Sequence, residues 1–110
     1  PVFQLIILGM GDDGHTASIF PDQLNLLDSD QICTVATHPV SGQKRVTLTG
    51  KAINNAEKIC FLVSGSSKAQ RMLQIFSQSP EARQLPASYI ATASGSPEWY
   101  VDEAAVQKLG

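Results

Sequence analysis

The chain opens with an apolar run, Val2-Phe3-Gln4-Leu5-Ile6-Ile7-Leu8, which ends at Gly9. A short run of large and β-branched apolar residues that stops at a glycine is typical of a strand buried in a parallel sheet. A second run of this kind, Lys58-Ile59-Cys60-Phe61-Leu62-Val63, ends shortly before Gly65. Because its apolar residues are also consecutive, we expect this strand at the centre of the sheet.

Predicted strands and helices alternate along the rest of the chain. The further elements are strands at 32–37, 45–49, 89–91 and 98–101, and helices at 50–56, 68–78 and 102–109. Thr49, Ser67 and Asp102 are the expected N-caps of the three helices. Strands that alternate with glycine turns and helices indicate an α/β protein with a mostly parallel sheet. Ligands bind such sheets at the carboxyl ends of the strands, so we expect the functional residues in Gly9–Pro21 and Ser64–Lys68.

The composition is that of a globular protein. A chain of 110 residues that is 43% hydrophobic can bury one core but not two, so we expect residues 1–110 to form a single domain. Ten acidic and eight basic residues give a net charge of −2, which argues against nucleic-acid binding. None of the apolar runs approaches the roughly 18 residues that a membrane span requires, so we expect no membrane partner.

The start of the chain and its two cysteines indicate the cellular setting. The chain begins at Pro1, without an initiator methionine or a basic segment before the apolar run. We therefore expect a piece of a longer cytoplasmic polypeptide that has no signal peptide. Cys33 and Cys60 belong to no CxxC pair, and neither has a histidine at ligand spacing. We expect two reduced, buried thiols and no metal site.

The loop after the first strand fits the dinucleotide-binding pattern G-x-G-x-x-G at Gly9–Gly14. A dinucleotide-binding turn opens a long helix, whereas Pro21 stops any helix here soon after the loop. Asp28 and Asp30 have almost the spacing of the ribose-binding acid, but they precede the next strand instead of ending it. Nicotinamide or flavin binding is therefore not expected.

Asp13 and His15 are the candidate catalytic residues of this loop. Imidazole groups titrate close to neutral pH, which suits them to accept a proton from water. Gly11 and Gly14 flank the two carboxylates Asp12 and Asp13, and glycines allow a close approach between backbone and ligand. Spacing alone leaves an alternative equally open, in which His15 fills a turn and Asp13 caps a short helix.

Lys68 is the candidate phosphate-binding residue. It follows Ser64-Gly65-Ser66-Ser67 at the start of a predicted helix, where free N–H groups attract anions. A lysine at this position adds a positive charge for a phosphate. The alternative is a solvated lysine in the first turn.

The segment from Leu8 to Pro21 closely resembles the signature segment of the 6-phosphogluconolactonase family. Further stretches resemble the family in the same order: Arg45-Val46-Thr47-Leu48-Thr49, Asn54-Asn55-Ala56, Phe61-Leu62-Val63-Ser64-Gly65, Lys68-Ala69, Leu85-Pro86-Ala87-Ser88, Trp99, Asp102 and Ala104-Ala105. The resemblance implies a doubly wound, mostly parallel sheet of the NagB/RpiA-like type. It also implies that the chain is a partial domain, the C-terminal half. The family's N-terminal half, with a Ser/Gly-rich loop that helps hold the sugar phosphate, has no counterpart.

The resemblance also implies roles for single residues. His15 would activate water against the carbonyl of 6-phosphogluconolactone, and Asp13 would orient His15 or shape the pocket. Lys68 and Arg45 would hold the phosphate, although Arg45 could equally be a charge that protects an edge strand from aggregation. The reaction would yield 6-phosphogluconate in the pentose phosphate pathway and would need no metal or organic cofactor. The surface left by the absent half would favour self-association.

Two alternatives remain at this stage. The sibling glucosamine-6-phosphate deaminase/isomerase family continues the shared motif as Ala-Phe-Asn-Glu-Pro, where the glutamate assists ring opening. This chain continues as Ala17-Ser18-Ile19-Phe20-Pro21 and lacks that glutamate, which favours the lactonase. The second alternative is a non-catalytic protein that binds sugar phosphates on the same fold.

Overall fold

The strands and helices from Ile6 to Phe76 follow the predicted alternation in a computed structural model that describes residues 1–93 and 95–109. The strands in this part of the chain are β1 (Ile6–Leu8), β2 (Cys33–Thr37), β3 (Lys44–Leu48), β4 (Ile59–Val63) and β5 (Glu98–Val101). The α-helices are α1 (Gly50–Asn54) and α2 (Ala69–Phe76), and 3-10 turns occupy Pro21–Leu27, Ser66–Lys68, Pro80–Gln84 and Pro86–Tyr89. None of the described helices is long and apolar enough to cross a membrane.

The sheet that positions the loops is three-stranded and parallel, in the order β1-β4-β5. The consecutive apolar residues of β4 predicted its central place correctly. β1 is shorter than predicted, because its pairing with β4 begins only at Ile6 opposite Ile59. Upstream of it, Phe3 accepts a single hydrogen bond from the Glu57 N–H group.

The two faces of this sheet have different surroundings. Ile6, Leu8 and Phe61 point to one face and are buried in the core with Met72 of α2. The opposite face presents three large side chains, and the exposed fractions of Ile7, Leu62 and Tyr100 are 59%, 55% and 55%. Parallel sheets are normally covered on both faces. The described chain therefore covers only one face of the sheet, although the large side chains on the other face are of a kind that is normally buried.

β2 and β3 form a separate antiparallel hairpin beside the parallel sheet. Ala36 and Thr47 are buried on its inner face, and Arg45 lies opposite Ala36. Cys33 begins β2 on the outer face and is exposed, so the prediction of two buried thiols was right only for Cys60. Strand alternation explains the difference, since Cys33 shares the face of the exposed Val35 and not that of the buried Ala36.

Two helix starts differ in how well the sequence predicted them. The Thr49 hydroxyl accepts a hydrogen bond from the Ala52 N–H group, so Thr49 caps α1 as predicted. Ser67 does not cap α2, because it lies within the 3-10 turn Ser66–Lys68 and the α-helix begins only at Ala69. Its hydroxyl donates to the carboxylate of Asp12. The sequence pattern revealed neither this 3-10 turn nor the contact of Ser67 with Asp12, a residue distant in sequence.

The last third of the chain is less regular than predicted. The strand predicted at 89–91 is absent from the described chain, since Tyr89 ends the 3-10 turn Pro86–Tyr89. Turns occupy the described residues from Glu103 onward, where a helix was expected. Asp102 still acts as a cap, and its Oδ1 accepts hydrogen bonds from the N–H groups of Ala105 and Gly65. Asp102 thus ties the end of β5 to the turn after β4.

Candidate active site

The loop that follows β1 is closed by its own backbone at the carboxyl end of the strand. The Gly11 N–H group donates to the carbonyl of His15, and the Gly14 N–H group donates to the carbonyl of Gly11, both at 2.9 Å. The buried Thr16 hydroxyl donates to the carbonyl of Gly9 at 2.8 Å. These bonds fix the loop where the α/β architecture predicts a ligand site.

Asp13 and His15 form a hydrogen-bonded pair in this loop. Asp13 Oδ1 lies 2.6 Å from His15 Nδ1 and also accepts the backbone N–H of His15 at 3.0 Å. An ionised carboxylate can only accept hydrogen bonds, so the ring proton sits on Nδ1. In the neutral ring Nε2 then carries a lone pair and can accept a proton. The arrangement is that of an oriented general base.

The charge of Asp13 depends on two opposing effects. Partial burial raises the pKa of its carboxyl group, but the hydrogen bonds from the His15 backbone and ring outweigh burial. The net result is a pKa below the ordinary value of 3.8, so Asp13 is ionised at neutral pH. The stability that this pairing contributes is present above that value and is lost as the pH falls through the lowered pKa.

Glycine is required beneath the imidazole ring. A Cβ atom on Gly11 would collide with the Cε1 and Nδ1 atoms of His15. Gly14 has a different constraint, because its φ is +85° and a Cβ there would lie 2.7 Å from a methyl group of Leu85. Gly11 therefore determines the position of the base, while Gly14 determines how the loop packs against the segment that contains Leu85.

We expect Gly11→Ala to displace the His15 ring and to lower kcat by on the order of 10²-fold, the scale of a misplacement of about 1 Å. The ring position is measured by NMR of the imidazole nitrogens. Gly9→Ala is the matched control for ring position, since a Cβ there meets nothing within 4 Å. Unchanged imidazole signals in Gly11→Ala would contradict the packing argument.

Phe20 links Arg45 to this loop. The rings of His15 and Phe20 lie 4.8 Å apart between centroids, and Phe20 is buried. The guanidinium carbon of Arg45 lies 5.8 Å from the centre of the same Phe20 ring, a cation–π distance. His38 also contacts Phe20, but its Nδ1 accepts the backbone N–H groups of Val40 and Ser41 in the hairpin turn. Sequence reasoning did not foresee the place of Phe20, which depends on contacts across the hairpin.

Lys68 forms an ion pair with Asp12 of the same loop. Its Nζ is 2.9 Å from Asp12 Oδ1, and Ser67 donates to the same oxygen at 3.0 Å. Arg71 Nε donates to the backbone carbonyl of Asp12 at 3.1 Å. Hydrogen bonding to Lys68, followed by that to Ser67, lowers the pKa of Asp12. Arg71 was missed by sequence reasoning, although its spacing of three residues from Lys68 on a helix was a usable signal.

A cleft of about 390 Å³ opens beside the base. Its lining residues are Ile7, Leu8, Gly9, Met10, Gly11, His15 and Ala17. The structure thus brings His15 and Gly11 to one cleft. Lys68 and Arg45 approach the loop that contains His15, but they do not line the cleft. Within the described residues there is no group of three or more His, Cys, Asp or Glu side chains that could hold a metal ion.

Comparison with known proteins gives consistent matches. Residues 1–99 match the family described as Glucosamine-6-phosphate isomerases/6-phosphogluconolactonase. The chain is 47% identical, over 98% of its length, to a Haemophilus influenzae protein named 6-phosphogluconolactonase, of which the match covers 46%.

Solved structures agree in fold. The crystal structure of devB protein matches with a TM-score of 0.88 and 45% identity, over 100% of this chain and 46% of that one. The crystal structure of 6-phosphogluconolactonase from Leishmania guyanensis matches with a TM-score of 0.83 and 30% identity, over 100% of this chain and 43% of that one. The predicted fold class is confirmed, and the chain spans about half the length of the relatives it matches.

Proposed function

Because this chain belongs to the glucosamine-6-phosphate isomerase/6-phosphogluconolactonase family, we propose that it supplies the water-activating part of a 6-phosphogluconolactonase. The observation that carries this proposal is the 2.6 Å contact between His15 Nδ1 and an ionised Asp13. It leaves Nε2 as the basic nitrogen of a ring that borders a cleft. Water activation is the step that lactone hydrolysis requires of a protein side chain.

The proposed reaction proceeds in two proton transfers. His15 Nε2 takes a proton from water as the water oxygen attacks the lactone carbonyl carbon, which gives a tetrahedral intermediate. The bond from this carbon to the ring oxygen then breaks, and the imidazolium returns the proton to that oxygen. Asp13 stabilises the imidazolium while it exists and keeps the ring oriented. The product acid ionises to 6-phosphogluconate.

Phe20 favours lactone hydrolysis over amino-sugar deamination. The sibling family's motif has a glutamate immediately before the proline, and this chain has Phe20 before Pro21. Phe20 is buried and its ring contacts the His15 ring, so an apolar side chain occupies the place of the ring-opening carboxylate. A carboxylate buried there would require a partner.

The function is tested by supplying both substrates to the full polypeptide that contains this chain. We expect acid release from 6-phosphogluconolactone above its spontaneous rate, undiminished by a chelator, and no ammonia release from glucosamine 6-phosphate. Ammonia release would favour the deaminase. Binding of the lactone without turnover would favour a sugar-phosphate-binding protein, and activity that a chelator abolishes and zinc restores would contradict metal-free hydrolysis.

Lys68 and Arg45 are proposed to hold the phosphate of the substrate. Both basic side chains contact residues close to His15 in the loop. Lys68 pairs with Asp12, and Arg45 lies over the ring of Phe20. Lys68→Ala should raise KM for the phosphorylated lactone and scarcely alter turnover of unphosphorylated gluconolactone. The two KM values measure this difference, and equal losses on both substrates would indicate structural damage instead.

We also propose that residues 1–110 are one part of a single domain, whose other part covers the open face of the sheet. Ile7, Leu62 and Tyr100 on that face support this, because apolar side chains of a parallel sheet are normally buried. The relatives are about twice as long, which leaves sufficient chain for the cover. A cytoplasmic location remains a prediction, with which two free thiols agree.

A further inference from the structure

The carboxylate of Asp12 pairs with Lys68, the proposed phosphate anchor. Its Oδ1 atom accepts hydrogen bonds from Lys68 Nζ at 2.9 Å and from Ser67 Oγ at 3.0 Å. These are a cation and a hydroxyl donor, the same pair of groups that would serve a phosphate oxygen. In the described structure the carboxylate thus occupies donors that a phosphate would use.

The two partners of this ion pair differ in exposure. The Lys68 side chain is only 20% exposed, whereas that of Asp12 is 68% exposed. The Lys68 side chain is therefore largely packed against its surroundings, while the Asp12 carboxylate faces solvent and can rotate away from Lys68. Exposed ion pairs contribute little to stability, so an incoming anion can displace this carboxylate at small cost.

We propose that Asp12 is a specificity-determining residue that pairs with Lys68 in the substrate-free protein and is exchanged for the substrate's phosphate. This rests on the proposed function, because it takes Lys68 as the phosphate anchor. A phosphate group carries nearly two negative charges and three strong acceptor oxygens, so it replaces one carboxylate, whereas a singly charged or neutral ligand does not. Asp12 thereby selects for doubly charged phosphates and weakens the binding of every anion by competing with it.

Asp12→Asn in the full polypeptide tests this exchange. The amide keeps the shape and an acceptor oxygen but removes the charge. We expect the KM for the phosphorylated lactone and the inhibition constant of inorganic phosphate to fall by about 5-fold, the factor that corresponds to a strong exposed ion pair. The KM for unphosphorylated gluconolactone, measured on the same variant, is the reference, so the readout is a fall in KM that depends on the phosphate of the substrate.

Asp30→Asn is the matched control. It removes one charge and breaks an exposed pair with Lys51 of similar length, 2.8 Å, among residues outside the His15 loop. We expect no change in either constant. If Asp30→Asn lowers both constants as Asp12→Asn does, the effect comes from net charge and the proposal is overturned.

The Lys68→Ala background separates this inference from the proposed function. If Lys68 anchors phosphate, Asp12→Asn should lose its effect when combined with Lys68→Ala. A phosphate-specific rise in KM for Lys68→Ala, together with an unchanged or raised KM for Asp12→Asn, would overturn the exchange and leave the proposed function standing. If Lys68→Ala shows no phosphate-specific effect, the anchor fails and the exchange fails with it.

Discussion

Replacing His15 with alanine should lower kcat for lactone hydrolysis by roughly 10²- to 10⁴-fold, while KM changes far less. The substitution removes the Nε2 base but should leave the loop intact. His15 takes part in the hydrogen bonds that close the loop only through its backbone carbonyl. The measurement is the initial rate in the full polypeptide, with spontaneous lactone opening subtracted. A His15→Ala protein that keeps most of its kcat would show that the imidazole only fills the turn.

Two further variants make this result specific. His38→Ala is the matched control, because His38 is the other histidine of the chain and also contacts the Phe20 ring. It should retain the original kcat. Asp13→Asn should lower kcat by on the order of 10²-fold, because the amide can donate to Nδ1 and so favour the wrong ring tautomer.

Replacing Leu62 on the open face of the sheet should have the second large effect. The replacement should reduce self-association of the short chain but destabilise the full polypeptide. In the 110-residue chain alone, Leu62 is 55% exposed, so we expect concentration-dependent self-association that Leu62→Asn reduces. In the full polypeptide, where the face is proposed to be covered, Leu62→Asn should lower the free energy of unfolding by about 2–4 kcal/mol. Mass in solution at several concentrations and denaturant unfolding measure the two effects.

Val40→Asn provides the comparison for this test. Val40 is 91% exposed in the turn of the hairpin, away from the sheet face. It should alter neither the association of the short chain nor the stability of the full one. A short chain that remains a strict monomer with full turnover would contradict the need for a covering part.

The sequence predicted the features that depend on local pattern. The consecutive apolar residues of β4 indicated its central place, and the Thr49 cap was recognisable from its position before α1. The loop glycines and the proximity of Asp13 to His15 were also visible, because Asp13 and His15 are only two residues apart in sequence.

Features that depend on distant partners were missed. Ser67 was predicted to cap α2, but Asp12, far away in sequence, accepts its hydroxyl hydrogen. Phe20 belongs to the site because its ring contacts Arg45 of the hairpin. Arg71 belongs to it because its Nε donates a hydrogen bond to the carbonyl of Asp12. A single sequence contains no signal for contacts of this kind until the chain is folded, because periodicity describes only neighbours along one element.

The bonds between Asp13 and His15 span only two residues, which has a consequence for how the proposed enzyme can be assembled. The hydrogen bonds that orient this base lie within its own loop, and all their groups come from this chain. Such a loop can be carried on one polypeptide while a second, separately made polypeptide provides the rest of the substrate cleft. Mixing this chain with the complementary part should therefore restore turnover by non-covalent association, with the water-activating base provided by this chain and the remaining contacts to the substrate by its complement.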